Sequence, residues 1–162
     1  MKRNYPALLY SAPDVDYPGT HGGSTHIGEI VKALSELCDR VYLVCTHKKQ
    51  QKYVEKRKQL TIIRLPKLPT TFLRVSSYFL FPFLITFFLG LFRKIEIVYE
   101  RGKIFGGGGL FAGNLLGKKT IYSMIEPYTE IPILLGQIKK DSFTHKLLVR
   151  WHTFITQRSY LI

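Results

Sequence analysis

The chain has 162 residues, 46% of them hydrophobic and 22% charged, a composition that suits one globular domain and excludes a disordered one. Its 24 Lys and Arg against 11 Asp and Glu give a formal charge of +13, a field that draws polyanions, acidic lipid surfaces and phosphorylated small molecules. Two cysteines, Cys38 and Cys45, exclude a disulfide framework and a zinc site, and read as small buried hydrophobes in a reducing cytoplasm.

Taken in order, Ala7 to Ser11 is apolar on both faces, as a parallel strand covered by helices should be. The apolar run that contains it is too short for the ~7–15-residue core of a signal peptide and meets Pro13-Asp14. Tyr17 to His26 follows as a glycine-rich loop between this strand and a helix. Gly22 and Gly23 let a ligand approach the main chain, and Ser24 or Thr25 is placed to cap a helix whose positive end faces an anion such as phosphate. His21 and His26 flank that end, as ligand contacts or as ordinary polar loop residues; a ligand-free turn is the plainer alternative. Ile27, Ile30, Val31, Leu34 and Leu37 recur at helical spacing, so Thr25 to Leu37 is an amphipathic helix. Arg40 to Thr46 is the second strand, and the order strand, helix, strand implies a right-handed parallel crossover.

His47 to Gln59 is lysine-rich and reads as a solvated connector or exposed helix. No aromatic platform or recognition-helix pattern accompanies it, which argues against nucleic acid as a partner. Leu60 to Leu65 is the third strand, and Pro66 and Pro69 break regular structure after it. Val75 to Phe92 carries no charge, is rich in phenylalanine and is bordered by Arg74 and Arg93. It admits three readings: a buried or partly exposed helix, an interfacial element dipping into a bilayer, or a span, which needs about 20 apolar residues. A span is awkward if the flanking strands share a sheet, and an apolar face beside net positive charge favours peripheral binding to anionic lipid.

Ile95 to Tyr99 is the fourth strand, and Glu100-Arg101-Gly102 forms its carboxyl end, where ligands of open α/β sheets bind. Gly106 to Gly109 opens a helix over Leu110 to Leu116, capped by Gly117 in a left-handed conformation. The glycines allow a close backbone neighbour or ligand, or simply a flexible loop. Lys119 to Ile125 is the fifth strand, followed by Glu126-Pro127, and Phe143 to Ile162 is an amphipathic helix. A G-x-G-x-x-G fingerprint with an acidic residue after strand two, a G-x-S-x-G elbow and an H-x-x-x-H pair are all missing. These omissions disfavour a dinucleotide oxidoreductase, a serine hydrolase and a zinc enzyme.

Gly22-Gly23 with His26, the basic connector, Ile97-Val-Tyr-Glu-Arg-Gly102, the glycine-rich helix start, Leu115-Leu-Gly117 and Glu126-Pro127 occur in this order along nearly the whole chain. In this the sequence resembles the N-terminal half of a family 4, or group 1, glycosyltransferase. The resemblance implies an α/β fold, a Rossmann-like parallel sheet flanked by helices that forms one half of a two-Rossmann-domain (GT-B) enzyme. Residues 1–162 would be its acceptor-binding domain, with the donor-binding domain absent from this sequence.

It also implies retaining transfer from a nucleotide sugar, with no metal or other cofactor; the leading expectation is a lipid-linked or polysaccharide acceptor, with the Phe-rich element and basic surface docking at the inner face of an anionic membrane. Gly22, Gly23 and Ser24 would then lie near the donor phosphates and His26 near the acceptor. Arg101 would support the cleft or bind an acceptor phosphate, and Glu126 would face the acceptor hydroxyl or form a salt bridge. Ser123 and Ile125 depart from the usual polar partner of that glutamate. The chain alone is expected to be inactive, as a fragment or as one half of a split enzyme. The alternative is a nonenzymatic membrane-associated binding module.

Overall fold

In a computed structural model, which describes residues 6–103, 106–124, 127 and 129–159, one six-stranded sheet organises the chain. Its strands are β1 (Ala7–Asp16), β2 (Val41–Thr46), β3 (Val54–Arg57), β4 (Leu60–Leu65), β5 (Ile95–Arg101) and β6 (Lys119–Ser123). They lie in the order β3-β4-β2-β1-β5-β6, and every neighbouring pair is parallel except β3 with β4. The helices are α1 (Gly22–Leu37), α2 (Thr71–Phe92), α3 (Gly108–Leu115), α4 (Ile131–Leu134) and α5 (Phe143–Gln157).

Strand alternation divides the core between the two faces of the sheet. Leu8, Tyr10 and Ala12 join Leu43, Cys45 and Tyr99 beneath Ile27 and Val31 of α1. Leu9, Val44 and Val98 face the other way, beneath Phe81, Ile85 and Leu89 of α2. Both cysteines are buried free thiols, as the composition implied. β1 runs five residues beyond the expected Ser11, with an irregularity in its pairing between Ala12 and Asp16. Pro13 has no N–H for the ladder, and its carbonyl instead accepts the Thr46 hydroxyl at 2.5 Å.

The basic connector contains a strand and needs correction. Val54–Arg57 pairs antiparallel with β4 through a turn in which Lys58 takes a positive φ of 36°. An edge strand exposed to water has little need of alternating apolar residues, and its charges discourage pairing with other chains. What fixes it is Arg64, whose side chain is 1% exposed. Arg64 donates to the carbonyls of Tyr17 and Lys52 and to Glu55 at 2.7–3.2 Å. Arg64→Met should therefore cost about 3 kcal/mol in urea unfolding and expose the β3 amides first to hydrogen exchange, because two carbonyls and a carboxylate lose their donor.

α2 starts four residues before the expected boundary, where Thr70 caps it by accepting from Leu73 N at 3.3 Å. Leu73–Phe92, with mean hydropathy 2.0, is long and apolar enough to cross a membrane, and few of its residues are buried. The flanking strands β4 and β5 belong to one sheet, so both ends of α2 return to the same body. α3 packs tightly on α2, with Phe111 tilted against Phe79 and Phe83 at 6.3 and 6.1 Å. The last helix ends at Gln157 rather than running to Ile162 and is anchored by Trp151, whose indole N–H donates to the Gly106 carbonyl at 2.9 Å.

Candidate functional site

The carboxyl ends of β1, β2, β4 and β5 lie along one edge of the sheet, and Asp14, Asp16, Lys48 and Arg101 meet there. The first group stands at the start of α1. His21, not Ser24 or Thr25, is the N-cap: its Nδ1 accepts from Ser24 N at 3.3 Å. Nε2 then carries the proton and donates to Asp16. The buried Ser24 hydroxyl donates to the Asp16 carbonyl at 2.6 Å, so it ties the loop to β1 rather than facing solvent. Burial would raise the Asp16 carboxyl, but hydrogen bonds from His21 and Ser24 outweigh it and hold the group below the usual carboxylate range. The N–H groups of Gly22 and Gly23 make no hydrogen bond among the described residues.

The second group lies between β1 and β5, where the chain order in the sheet reverses and open α/β sheets place their ligands. The Arg101 side chain is only 10% exposed, and its Nε and Nη1 make no hydrogen bond among the described residues. Asp14 Oδ2 lies 3.9 Å from Nη1 and 3.2 Å from Lys103 Nζ. A Cβ added to Gly23 would stand 3.4 Å from the same Nη1, so the guanidinium is directly beside the start of α1. Burial and the neighbouring Tyr99 push the Tyr10 hydroxyl up, while Arg101 opposes them, so the phenol stays protonated. A buried guanidinium with unspent donors next to two unspent backbone N–H groups is an arrangement that an oxyanion would complete.

The third feature is a pocket of about 420 Å³ between the ends of β1, β2 and β4 and the first turns of α2. Asp14, Asp16, Lys48, Lys67, Arg74 and Tyr78 are among its walls. Among the described residues no cluster of three or more His, Cys, Asp or Glu could hold a metal ion.

No protein-family model and no curated protein matches this chain in sequence. Among solved structures, sucrose-phosphate synthase from Thermosynechococcus elongatus aligns over 91% of this chain and 40% of its own, with a TM-score of 0.55 and 14% identity. MurG from Acinetobacter baumannii aligns over 90% of this chain and 39% of its own, with a TM-score of 0.44 and 17% identity. The fold is one Rossmann-like half of the GT-B architecture. The chain spans about two fifths of the length of these two glycosyltransferases, and the likeness at such identities is one of fold.

Of the residues singled out in the sequence, Gly23 and Arg101 come together, with Gly22 next to Gly23 in the chain. Ser24 is adjacent but turned inward, and His26 is exposed on the first turns of α1 with no hydrogen bond to the group. Glu126 lies outside the described residues. Sequence reasoning passed over Asp14, Asp16, Lys67 and Arg74. The signal for the first two was their position just after an apolar strand, the same rule that selected Arg101.

Proposed function

We propose that this domain is the acceptor-binding half of a glycosyltransferase. Joined to a C-terminal donor-binding domain, on the same chain or a separate one, it would pass a sugar from a nucleotide sugar to a lipid-linked or polysaccharide acceptor, without a metal or other cofactor. The observation that carries this reading is the buried, donor-rich Arg101 beside the free N–H groups of Gly22 and Gly23, on a GT-B half-fold. The guanidinium suits bidentate contact with a phosphate, and the helix dipole adds to it. His26 and Glu126 are assigned to the acceptor side.

The test is transfer of radiolabelled sugar into lipid and polysaccharide fractions, by the chain alone and with a donor-binding domain. The chain alone should not turn over. The combination should, and Arg101→Met should lower its rate about 100-fold, the scale for loss of one preorganised oxyanion donor. A folded domain that supports no transfer in any combination would remove the reading in favour of a nonenzymatic membrane-associated module.

A peripheral membrane location belongs to the same proposal. Leu80, Leu84, Phe88 and Leu91 of α2 are exposed on a domain of charge +13. Vesicles of anionic lipid should bind the chain at low salt and release it as ionic strength rises, because the Debye length contracts from about 30 Å at 0.01 M to about 8 Å at 0.15 M. Retention of binding at high salt would point to hydrophobic insertion alone.

A further inference from the structure

We infer that Lys103 is a positioning residue for the oxyanion site at the start of α1: its ammonium engages Asp14 and so keeps that carboxylate from closing on Arg101. The inference rests on the glycosyl-transfer reading only for the use made of the anion; the binding it explains stands on the site itself.

Three charged side chains meet beyond the ends of β1 and β5, and they do not pair as Asp14 and Arg101 alone would. The Asp14 carboxylate and the Arg101 guanidinium are each nine-tenths buried, with side chains 10% exposed. A buried arginine beside a buried aspartate closes most favourably into parallel N–H···O bonds that satisfy both groups. Here Asp14 Oδ2 stands 3.9 Å from Arg101 Nη1, beyond hydrogen-bond reach, and 3.2 Å from Lys103 Nζ. Asp14 Oδ1, Arg101 Nε and Arg101 Nη1 are buried without a hydrogen bond among the described residues. The carboxylate has been drawn towards the ammonium, and the guanidinium is left open.

The chain fixes Lys103 in this place. Arg101 ends β5, and Lys103 comes two residues later to the same carboxylate. Gly102 N donates to the Ser123 carbonyl at 2.7 Å and Gly106 N to the Lys103 carbonyl at 2.9 Å, so the main chain is held on both sides of the lysine. Its side chain, 31% exposed, reaches Asp14 from the rim of the site. Among the described residues, neither Lys103 nor Arg101 has another carboxylate within ion-pair distance, so two cations share one anion. The positive charge left over falls on Arg101, whose Nη1 lies 3.4 Å from where a Gly23 Cβ would stand, beside the start of α1. Without the ammonium, the nearest donor to the Asp14 carboxylate is that same Nη1. The pair would then close on itself, and the donors that an external oxyanion needs would be occupied from within.

The experiment titrates the whole chain with inorganic pyrophosphate at fixed ionic strength and follows the backbone amide signals of Gly22 and Gly23 by NMR. Lys103→Met should weaken binding about tenfold, and Lys103→Arg, which still reaches the carboxylate, should retain most of it. In an Asp14→Asn background the Lys103→Met change should cost less than about twofold, because no carboxylate remains to close on the arginine. The Arg101 side-chain N–H signals report the same event without ligand. Lys103→Met should move them to the positions of a hydrogen-bonded guanidinium, and adding Asp14→Asn should move them back. Thermal unfolding of each variant checks that it is folded.

An equal loss from Lys103→Met with and without Asp14 would overturn the inference and make the lysine a direct contact of the anion. No loss from Lys103→Met would overturn it too, as would wild-type Gly22 and Gly23 signals that pyrophosphate leaves unmoved. Coupling between Lys103 and Asp14 without glycosyl transfer in any combination with a donor-binding domain would remove the transfer reading and leave this one intact. Transfer accompanied by equal losses in the two backgrounds would do the reverse.

Discussion

Glu100→Ala is expected to destabilise the domain by on the order of 3–5 kcal/mol in urea unfolding, a large part of the total stability of a domain this size. Glu100 is fully buried, and its two carboxylate oxygens accept from Gly107 N at 2.8 Å and Leu110 N at 2.9 Å. The N-cap of α3, Gly107, has no side chain to satisfy these groups, so a residue from β5 does the capping. Truncation leaves buried N–H groups unpaired and a void where the carboxyl was.

The pH dependence separates this role from a merely space-filling one. Burial pushes the Glu100 carboxyl up to about 7, against the backbone N–H groups of Leu110, Gly107 and Gly109, which favour the charged form. Between its ordinary value of 4.5 and about 7, the folded state then holds a proton that the unfolded state has lost. Its contribution to stability is therefore complete below pH 4.5 and is lost as pH rises through about 7, a change on the order of 3 kcal/mol. His152, whose value burial lowers, acts in the opposite sense below its ordinary 6.5. The difference between the wild-type protein and Glu100→Gln isolates the glutamate: Gln cannot ionise, so its stability should lack the Glu100 component of the slope. Parallel stability curves for the two proteins across this window would refute the assignment.

Gly108→Ala should cost about 2–4 kcal/mol, with Gly22→Ala near neutral as its control. An added Cβ at Gly108 would fall on the backbone carbonyl of Phe79, and no rotamer change can move a main-chain atom aside. α2 and α3 would have to separate, loosening the contacts of Phe111 with Phe79 and Phe83. At Gly22 an added Cβ meets nothing within 4 Å. Thermal unfolding of the two variants decides the matter, and equal midpoints would show that the helices have room to spare. The four-glycine run thus has a packing role: it lets α3 lie against the α2 backbone and brings its amides within reach of Glu100.

Tyr99-Glu100-Arg101 joins this packing to the candidate site. Alternation along β5 turns Glu100 towards α3 and leaves Tyr99 in the core beneath α1, with Arg101 beside the first turn of that helix. The sequence marked the triplet as the carboxyl end of a strand, and through its resemblance to a glycosyltransferase. It could not say that the glutamate is a structural cap and the arginine is left with donors to spend. That distinction depends on which helix covers which face.

Glu126, the acceptor-side residue implied by the resemblance, lies outside the described residues and stands on that resemblance alone. His26 was legible as a loop residue near a ligand-facing helix end, and the structure places it on an exposed side of the first turns of α1. His21, read only as its companion, caps the helix and holds Asp16. Both histidines sit at plausible positions in the string, and only the direction of each side chain separates them.

By itself the sequence determined the alternation of strands and helices, the apolar strands covered on both faces and the glycine-rich turns that reverse the chain, because hydrophobic period and turn chemistry are local. Tertiary structure alone decided that the basic connector supplies an edge strand, held by a buried arginine on the neighbouring strand that also donates to the Tyr17 carbonyl 47 residues away. It also decided that Leu80, Leu84, Phe88 and Leu91 of α2 stay exposed. These outcomes turn on contacts between segments tens of residues apart, and no local pattern encodes which faces meet.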